Sequence, residues 1–317
     1  MSRWSIRILL ALLSLFLLIA CGTANKGDDD DAAADDDTSP AADDDDDNDN
    51  DNDNDDNDDN DNDDDTTPDT PGTKYPIVLM HGFFGWGDLG AFSYFAGVVD
   101  DLTAKGYTVI EPAVSPVNSM EERAGEWVEK INAAYGPNQK INIIAHSQGG
   151  LDARYMISTL GWGDRVGALV TVATPHQGTG LSDVVMGVIP GFGQDIIDWI
   201  MNMLGLDWDG IVQLSHDYVQ NEFNPANPDD PRVTYISYQT DAADNCFFLL
   251  EPTHWLLELV DGANDGVVPT ASGAYGIEMG IESADHWSII GQPLGLANFD
   301  QLTFYGDIAQ LLRDHGF

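Results

Sequence analysis

From Lys74 onward, short apolar runs alternate with longer stretches in which apolar residues return every three or four positions. Ile77–Met80 is an uninterrupted apolar run ahead of a Gly-rich turn, the pattern of a strand buried on both faces. Residues 107–111, 141–145, 168–173 and 233–238 repeat that pattern and are rich in β-branched side chains. Between them, residues 92–105, 119–135 and 150–160 carry helical spacing, and Ser119 followed by Glu122 has the spacing of a capping box. Strands alternating with helices across short connections predict an α/β chain with a mostly parallel sheet, covered by helices on both faces. Ligands of such sheets sit beyond the carboxyl ends of the strands. The chemistry is therefore expected after Met80, Ala145, Ala173 and the later strands.

The first 73 residues do not follow this pattern. Arg3 and Arg7 precede an apolar run over 8–19, broken only by Ser14. That run is short of the ~20 apolar residues a membrane span needs and suits a signal-peptide core. It ends Leu18-Ile19-Ala20-Cys21-Gly22, which resembles the bacterial lipobox. The resemblance implies cleavage after residue 20 and lipidation of Cys21. Three acyl chains would exceed the two signals that stable membrane attachment requires. Gly22 after the cysteine fits export to the outer membrane. The expectation is thus an exported outer-membrane lipoprotein, exposed at the cell surface in one reading, with a membrane as partner through its lipid anchor.

Charge separates the next segment from the rest. The chain carries a net charge of −43, and residues 22–73 hold 24 aspartates against one base, Lys26. Residues 28–69 are low-complexity Asp and Asn with a few Ala, Thr and Pro, too polar to offset the entropy of ordering them. Like charges extend such a tract, and the 52 residues from 22 to 73 reach at most ~170 Å at ~3.3 Å each. Asp49, Asp51 and Asp53 alternate as calcium-loop ligands do, but the turn glycine and locking apolar residues of such a loop are missing. A solvated tether is the better reading. The expected organisation is a signal peptide over 1–20, a tether over 21–73 and one domain over 74–317. That domain still carries 31 acids against nine bases, which argues against nucleic acid as a partner. Two cysteines, Cys21 and Cys246, exclude a disulfide framework and a four-cysteine zinc site.

The chemistry concentrates at three places. Ala145-His146-Ser147-Gln148-Gly149-Gly150 follows the strand 141–145 and opens a helix. A serine on so tight a strand-to-helix turn needs small residues two before and two after it, and Ala145 and Gly149 meet that demand. The helix N-terminus behind it favours developing negative charge. His81-Gly82-Phe83-Phe84-Gly85 follows the first strand, where a Gly-containing turn lets backbone N–H groups face inward. The N–H groups of Phe83 and Gln148 are the expected oxyanion donors, and His81 is expected to brace the loop. Last come Asn264-Asp265-Gly266 and His286.

These motifs together are specific. Tyr75-Pro-Ile-Val-Leu-Met-His-Gly-Phe-Phe-Gly, Ile141-Asn-Ile-Ile-Ala-His-Ser-Gln-Gly-Gly, Thr171-Val-Ala-Thr-Pro-His-Gln-Gly, Asn264-Asp-Gly-Val-Val-Pro and the late His286 resemble the true bacterial lipases of the Pseudomonas and Burkholderia type, in order and with compatible spacing. The resemblance implies an α/β-hydrolase fold and hydrolysis of acylglycerol esters by Ser147 as nucleophile, His286 as base and Asp265 as acid. Asp261 and Asp285 compete for the acid but lack the Asn-Asp-Gly-apolar-Pro context. His176 reads as structural, and His216, His254 and His315 carry no motif.

Between 181 and 224 the alternation breaks. Ile196, Ile200, Met203 and Leu204 fall on one helical face, with Gly191, Gly193 and Gly205 as hinges. An amphipathic lid and an ordinary core helix share that periodicity, and the resemblance favours the lid. No cofactor is expected to be required. Relatives hold a structural calcium on the histidine loop, with one ligand two residues after the histidine. Here that position is Ser288, which leaves calcium doubtful and Trp287 as the expected anchor of the loop. A lipid or ester substrate at an interface is the expected partner, with room for a lipase-specific folding chaperone. Phospholipase or polyester hydrolase remain open, as does a non-catalytic acidic surface lipoprotein.

Overall fold

The computed structural model describes residues 72–82, 93–116, 118–191, 193, 197, 198, 200, 208–243, 245–292 and 299–317. All belong to the second of the two units into which the chain divides, Asp65–Phe317. The leader, Cys21, the acidic tract, Phe83, the lid-face residues Ile196, Met203 and Leu204 and the hinge Gly205 lie outside the described residues.

Six strands, β1 (Ile77–Met80), β2 (Val109–Ile110), β3 (Ile141–His146), β4 (Val166–Val172), β5 (Thr234–Thr240) and β6 (Ile277–Glu282), form one sheet in the order β2-β1-β3-β4-β5-β6. Every neighbouring pair is parallel. Apolar alternation explains the double-sided burial: Ile77 and Leu79 enter one core while Val78 and Met80 enter the other. The first core is closed by helices α1 (Val98–Ala104) and α7 (Gln301–Asp314), which supply Val98, Leu102, Phe304, Tyr305 and Ile308. The second is closed by α2 (Met120–Tyr135) and α3 (Gln148–Ser158), through Ala124, Trp127, Ile131, Ala153 and Met156. Each large apolar side chain so buried contributes about 1.5–3 kcal/mol before entropy is counted.

Local signals set the helix ends. Ser119 caps α2 by accepting from the N–H of Glu122 at 3.3 Å, as the capping-box spacing predicts. Glu121 and Glu122 lie in the first turn, where the helix dipole favours acids. Gly136, at φ 76°, ends the helix.

Three departures from the sequence expectation have physical reasons. The helix expected over 92–105 begins only at Val98, because Gly97 caps it at φ 75°. Strand β5 runs past 238 to Thr240, and polar residues hid its end. Strand β6, and helices α6 (Glu251–Val260) and α7, were not anticipated. β6 reads Ile-Glu-Met-Gly-Ile-Glu and is an edge strand with exposed Ile277 and Ile281, so it lacks the continuous apolar run of the inner strands.

Described residues between 176 and 226 contribute to a third apolar cluster. Helix α4 (Gly180–Val185) is buried along its length, and α5 (Trp208–Gln213) follows. Leu181, Val184, Ile200, Ile211 and Phe223 meet Leu256, Leu257 and Val268 there.

Candidate active site

The site forms at the carboxyl ends of β1, β3 and β5, as parallel-sheet geometry requires. Ser147 sits between β3 and α3 at φ 57° and ψ −135°, a left-handed conformation that a serine rarely adopts. The strain survives because the surroundings leave no alternative. A Cβ on Gly149 would lie 2.5 Å from the Met80 carbonyl oxygen, and one on Gly150 would lie 2.2 Å from Thr174 Oγ1. Both glycines let α3 begin flush against β1 and β4. Thr174 donates to the Ser147 carbonyl at 2.8 Å, and the Ser147 N–H donates to Val172. The serine is 8% exposed, with its oxygen turned to His286.

His286 Nε2 lies 2.9 Å from Ser147 Oγ, and its Nδ1 lies 2.8 Å from Asp265 Oδ2. Asp265 is fully buried. Its Oδ2 also accepts from Thr240 Oγ1 at 2.7 Å, and its Oδ1 accepts from the N–H groups of Val267 and Val268. These donors hold the carboxylate as an acceptor, so His286 carries its proton on Nδ1 and offers Nε2 to the serine. The three residues named from the sequence are thus brought together, 139 positions apart at the widest. The competing acids do other work. Asp261 accepts from the Gly180 N–H, and Asp285 holds backbone beside His286.

The turn after β1 is braced from two sides. His81 Nδ1–H donates to the Gly82 carbonyl at 2.8 Å, and His81 Nε2 accepts from the Val114 N–H at 3.1 Å. Burial, aided by Arg123, pushes the His81 pKa down to about 3, so the ring is neutral, as a brace must be to accept at Nε2. Fully buried Arg123 donates to the carbonyls of His81 and Ser115, at 2.7 and 2.5 Å, and to Asp152 at 2.7 Å. Burial pushes the Asp152 carboxyl up to about 6, against the pull of Arg123 and of its hydrogen bonds from Arg123 and Trp127. The Gly82 position admits no side chain, since a Cβ would lie 2.6 Å from Ser147 Cβ.

His146 lies behind the histidine of the triple. Its Nδ1 is 2.8 Å from the Tyr94 hydroxyl, and burial, with His286 nearby, holds its pKa well below the usual imidazole range. Tyr94 is placed by Glu111, which accepts from the N–H groups of Tyr94 and Phe95 and from Ser93 Oγ. His176 is structural: it is fully buried, bonded to Thr171 and stacked on Tyr275. Sequence reasoning missed Arg123, Asp152, Tyr94 and Thr240. Arg123 left a trace, for it lies on the apolar stripe Met120, Ala124, Trp127, Ile131 and is itself buried. A charge on such a stripe needs a buried partner.

The His286 loop does not fit the calcium ion that the bacterial lipases suggest. Ser288 donates its hydroxyl to Asp285 Oδ2 at 2.6 Å. Asp285 also accepts from the N–H groups of Phe247, Trp287 and Ser288. Donors fill the lone pairs that a cation would need. Among the described residues, no three His, Cys, Asp or Glu side chains converge to hold a metal. Trp287, the expected anchor, is half-buried against Phe247, with ring centres 5.9 Å apart.

Residues 76–247 match the family model described as palmitoyl protein thioesterase. A triacylglycerol lipase of Vibrio cholerae is 40% identical over 121 residues, 37% of this chain and 38% of that protein. Triacylglycerol lipase 2 of Saccharomyces cerevisiae is 30% identical over 208 residues, 62% of each chain. The chain therefore spans about two fifths of the Vibrio protein and under two thirds of the yeast one. The mature lipase BlEst2 of Bacillus licheniformis shares the fold with a TM-score of 0.60 at 21% identity, covering 76% of this chain and 93% of that one.

Proposed function

The chain belongs to the palmitoyl protein thioesterase family, and from that premise we propose that it is a serine hydrolase of carboxylic esters, acting on acylglycerols. The observation that carries the reading is the unbroken hydrogen-bonded series Ser147–His286–Asp265, anchored on a strained elbow. Ser147 Oγ attacks the ester carbonyl while His286 Nε2 takes its proton. Asp265 orients the imidazole and stabilises its charged form. The backbone N–H groups of Gln148, at the start of α3, and of Phe83 hold the tetrahedral oxyanion. His286 returns the proton to the leaving alcohol, and water then releases the acyl group by the same route. The resident chemistry calls for no metal.

The same machinery cleaves thioesters, and the family match favours that as the second reading. The oxygen ester ranks first because two relatives are named triacylglycerol lipases. Fluorophosphonate labelling of Ser147, with turnover of oxygen esters and thioesters of matched acyl chains, tests both. Ser147→Ala should keep the fold and lower kcat on the order of 10⁶-fold. Hydrolysis that survives in that variant overturns the reading.

Cys21 carries a lipid anchor, the acidic tract is a tether, and the segment around 181–224 opens at a lipid surface. Activity on a short ester should then rise as the ester passes its solubility limit. Intact-mass analysis of the membrane-extracted protein would test the anchor.

A further inference from the structure

Asp285 is 1% exposed and takes part in none of the ion pairs among the described residues. An isolated buried carboxylate is costly unless its lone pairs are filled. Here four donors fill them. Oδ1 accepts from Trp287 and Ser288 N–H at 2.9 and 2.8 Å, and Oδ2 accepts from Ser288 Oγ at 2.6 Å and Phe247 N–H at 2.9 Å. The bonds to Trp287 and Ser288 shape the turn that follows His286. The bond to Phe247 is tertiary and crosses 38 positions.

The segment that Asp285 grips backs the acid loop. A Cβ on Gly266 would lie 3.0 Å from Leu250 Cβ, so the 245–250 segment and the Asp265 loop are in contact. His286 is also tied on its other side, where its N–H donates to the Asp265 carbonyl at 2.9 Å. The imidazole therefore hangs between two fixed points, the Asp265 backbone and the Asp285 carboxylate.

We propose that Asp285 is a positioning residue for the base: it staples the His286 loop to the 245–250 segment and sets the imidazole between Asp265 and Ser147 without a bound ion. The inference rests on the ester-hydrolase reading above. Ser288 is the second member of the staple, and its hydroxyl fills the place a metal-binding carboxylate would need. Asn at 285 can still accept from the local N–H groups, but its amide turns hydrogens toward Phe247 N–H and so breaks the tertiary bond. A loop displaced by ~1 Å misaligns the proton transfer, and such a shift costs on the order of 10²-fold in rate.

The test uses the full chain and a soluble short-chain p-nitrophenyl ester. Asp285→Asn should lower kcat about 10²-fold while KM stays within about twofold, since the loss falls on proton transfer rather than binding. Ser288→Ala should lower kcat in the same way but less, and Ser288→Thr should restore it. If Asp285→Asn does not fold, Ser288→Ala carries the test. Treating the wild type with EGTA should leave kcat unchanged. Wild-type kcat in both Asp285→Asn and Ser288→Ala would overturn the proposal. So would a loss explained by the unfolded fraction alone, or a wild-type activity lost to EGTA and restored by calcium. Hydrolysis that persists in Ser147→Ala would instead sink the ester-hydrolase reading itself.

Discussion

The imidazole of His146 lies with its ring centre 4.5 Å from that of His286, the two rings tilted at 45°. His146 is fully buried and neutral, held by the Tyr94 hydroxyl at 2.8 Å. In the proposed mechanism, the charge that forms on His286 would thus meet an uncharged neighbour rather than a second cation. Tyr94→Phe removes the hydroxyl and leaves His146 Nδ1 buried without that partner, a loss worth about 1–3 kcal/mol. Melting curves should show that destabilisation, and kcat should fall several-fold as the ring behind His286 loosens. An unchanged melting temperature and kcat would show that the contact is incidental.

Acid should destabilise the fold through its buried histidines. Burial holds His81 at about 3 and holds His146 and His176 well below the ordinary range. Each folded-state pKa is depressed, so the stabilisation is complete above the unfolded value of ~6.5 and is lost as pH falls below it, because only the unfolded chain gains protons. The slope approaches about 1.4 kcal/mol per histidine per pH unit. His216 works in reverse. Its hydrogen bond to Asp183 raises its pKa, so its smaller contribution is present below ~6.5 and fades as pH rises through the raised value. Asp152, whose carboxyl burial pushes up to about 6, also works in reverse below that value, so melting temperature should fall most between pH 6.5 and 6. A flat profile over that range would contradict the neutral assignments.

Arg123 and Asp152 form a buried ion pair that no solvent screens, with both side chains at 0% exposure. Arg123→Met strands the carboxylate and releases the His81 and Ser115 carbonyls. Breaking one partner of such a pair costs about 3–5 kcal/mol. Chemical denaturation should show that loss, and Arg123→Met with Asp152→Asn should recover part of it. Additive losses in the double variant would mean that the two residues act independently.

Gly82→Ala tests how tightly the first turn meets Ser147. The new methyl would lie 2.6 Å from Ser147 Cβ and 3.1 Å from Oγ, so one of them must move. Fluorophosphonate labelling should slow on the order of 10²-fold, as expected for a displaced nucleophile, with a smaller effect on melting temperature. Normal labelling would show that the turn yields freely.

Much of this molecule is written in local pattern. Apolar runs are legible because a strand buried on both faces is apolar at most positions; β1 is wholly so, and β3 and β4 carry polar side chains only at Asn142, His146 and Thr171. Ser147 is legible because only small residues fit at 149 and 150, which leaves a Gly-Gly signature beside the nucleophile. Asp265 and His286 are legible as family motifs, but their meeting is not. It depends on β5 reaching Thr240, on an edge strand without an apolar run, and on bonds spanning 21 and 139 positions. Local sequence cannot report such bonds, because hydrogen-bond partners are chosen by the packed chain rather than by neighbours. Asp285 shows the difference most clearly. In sequence it is a rival acid next to a histidine. Only the fold brings its carboxylate onto Phe247, 38 residues back, because that is where its lone pairs find donors out of water.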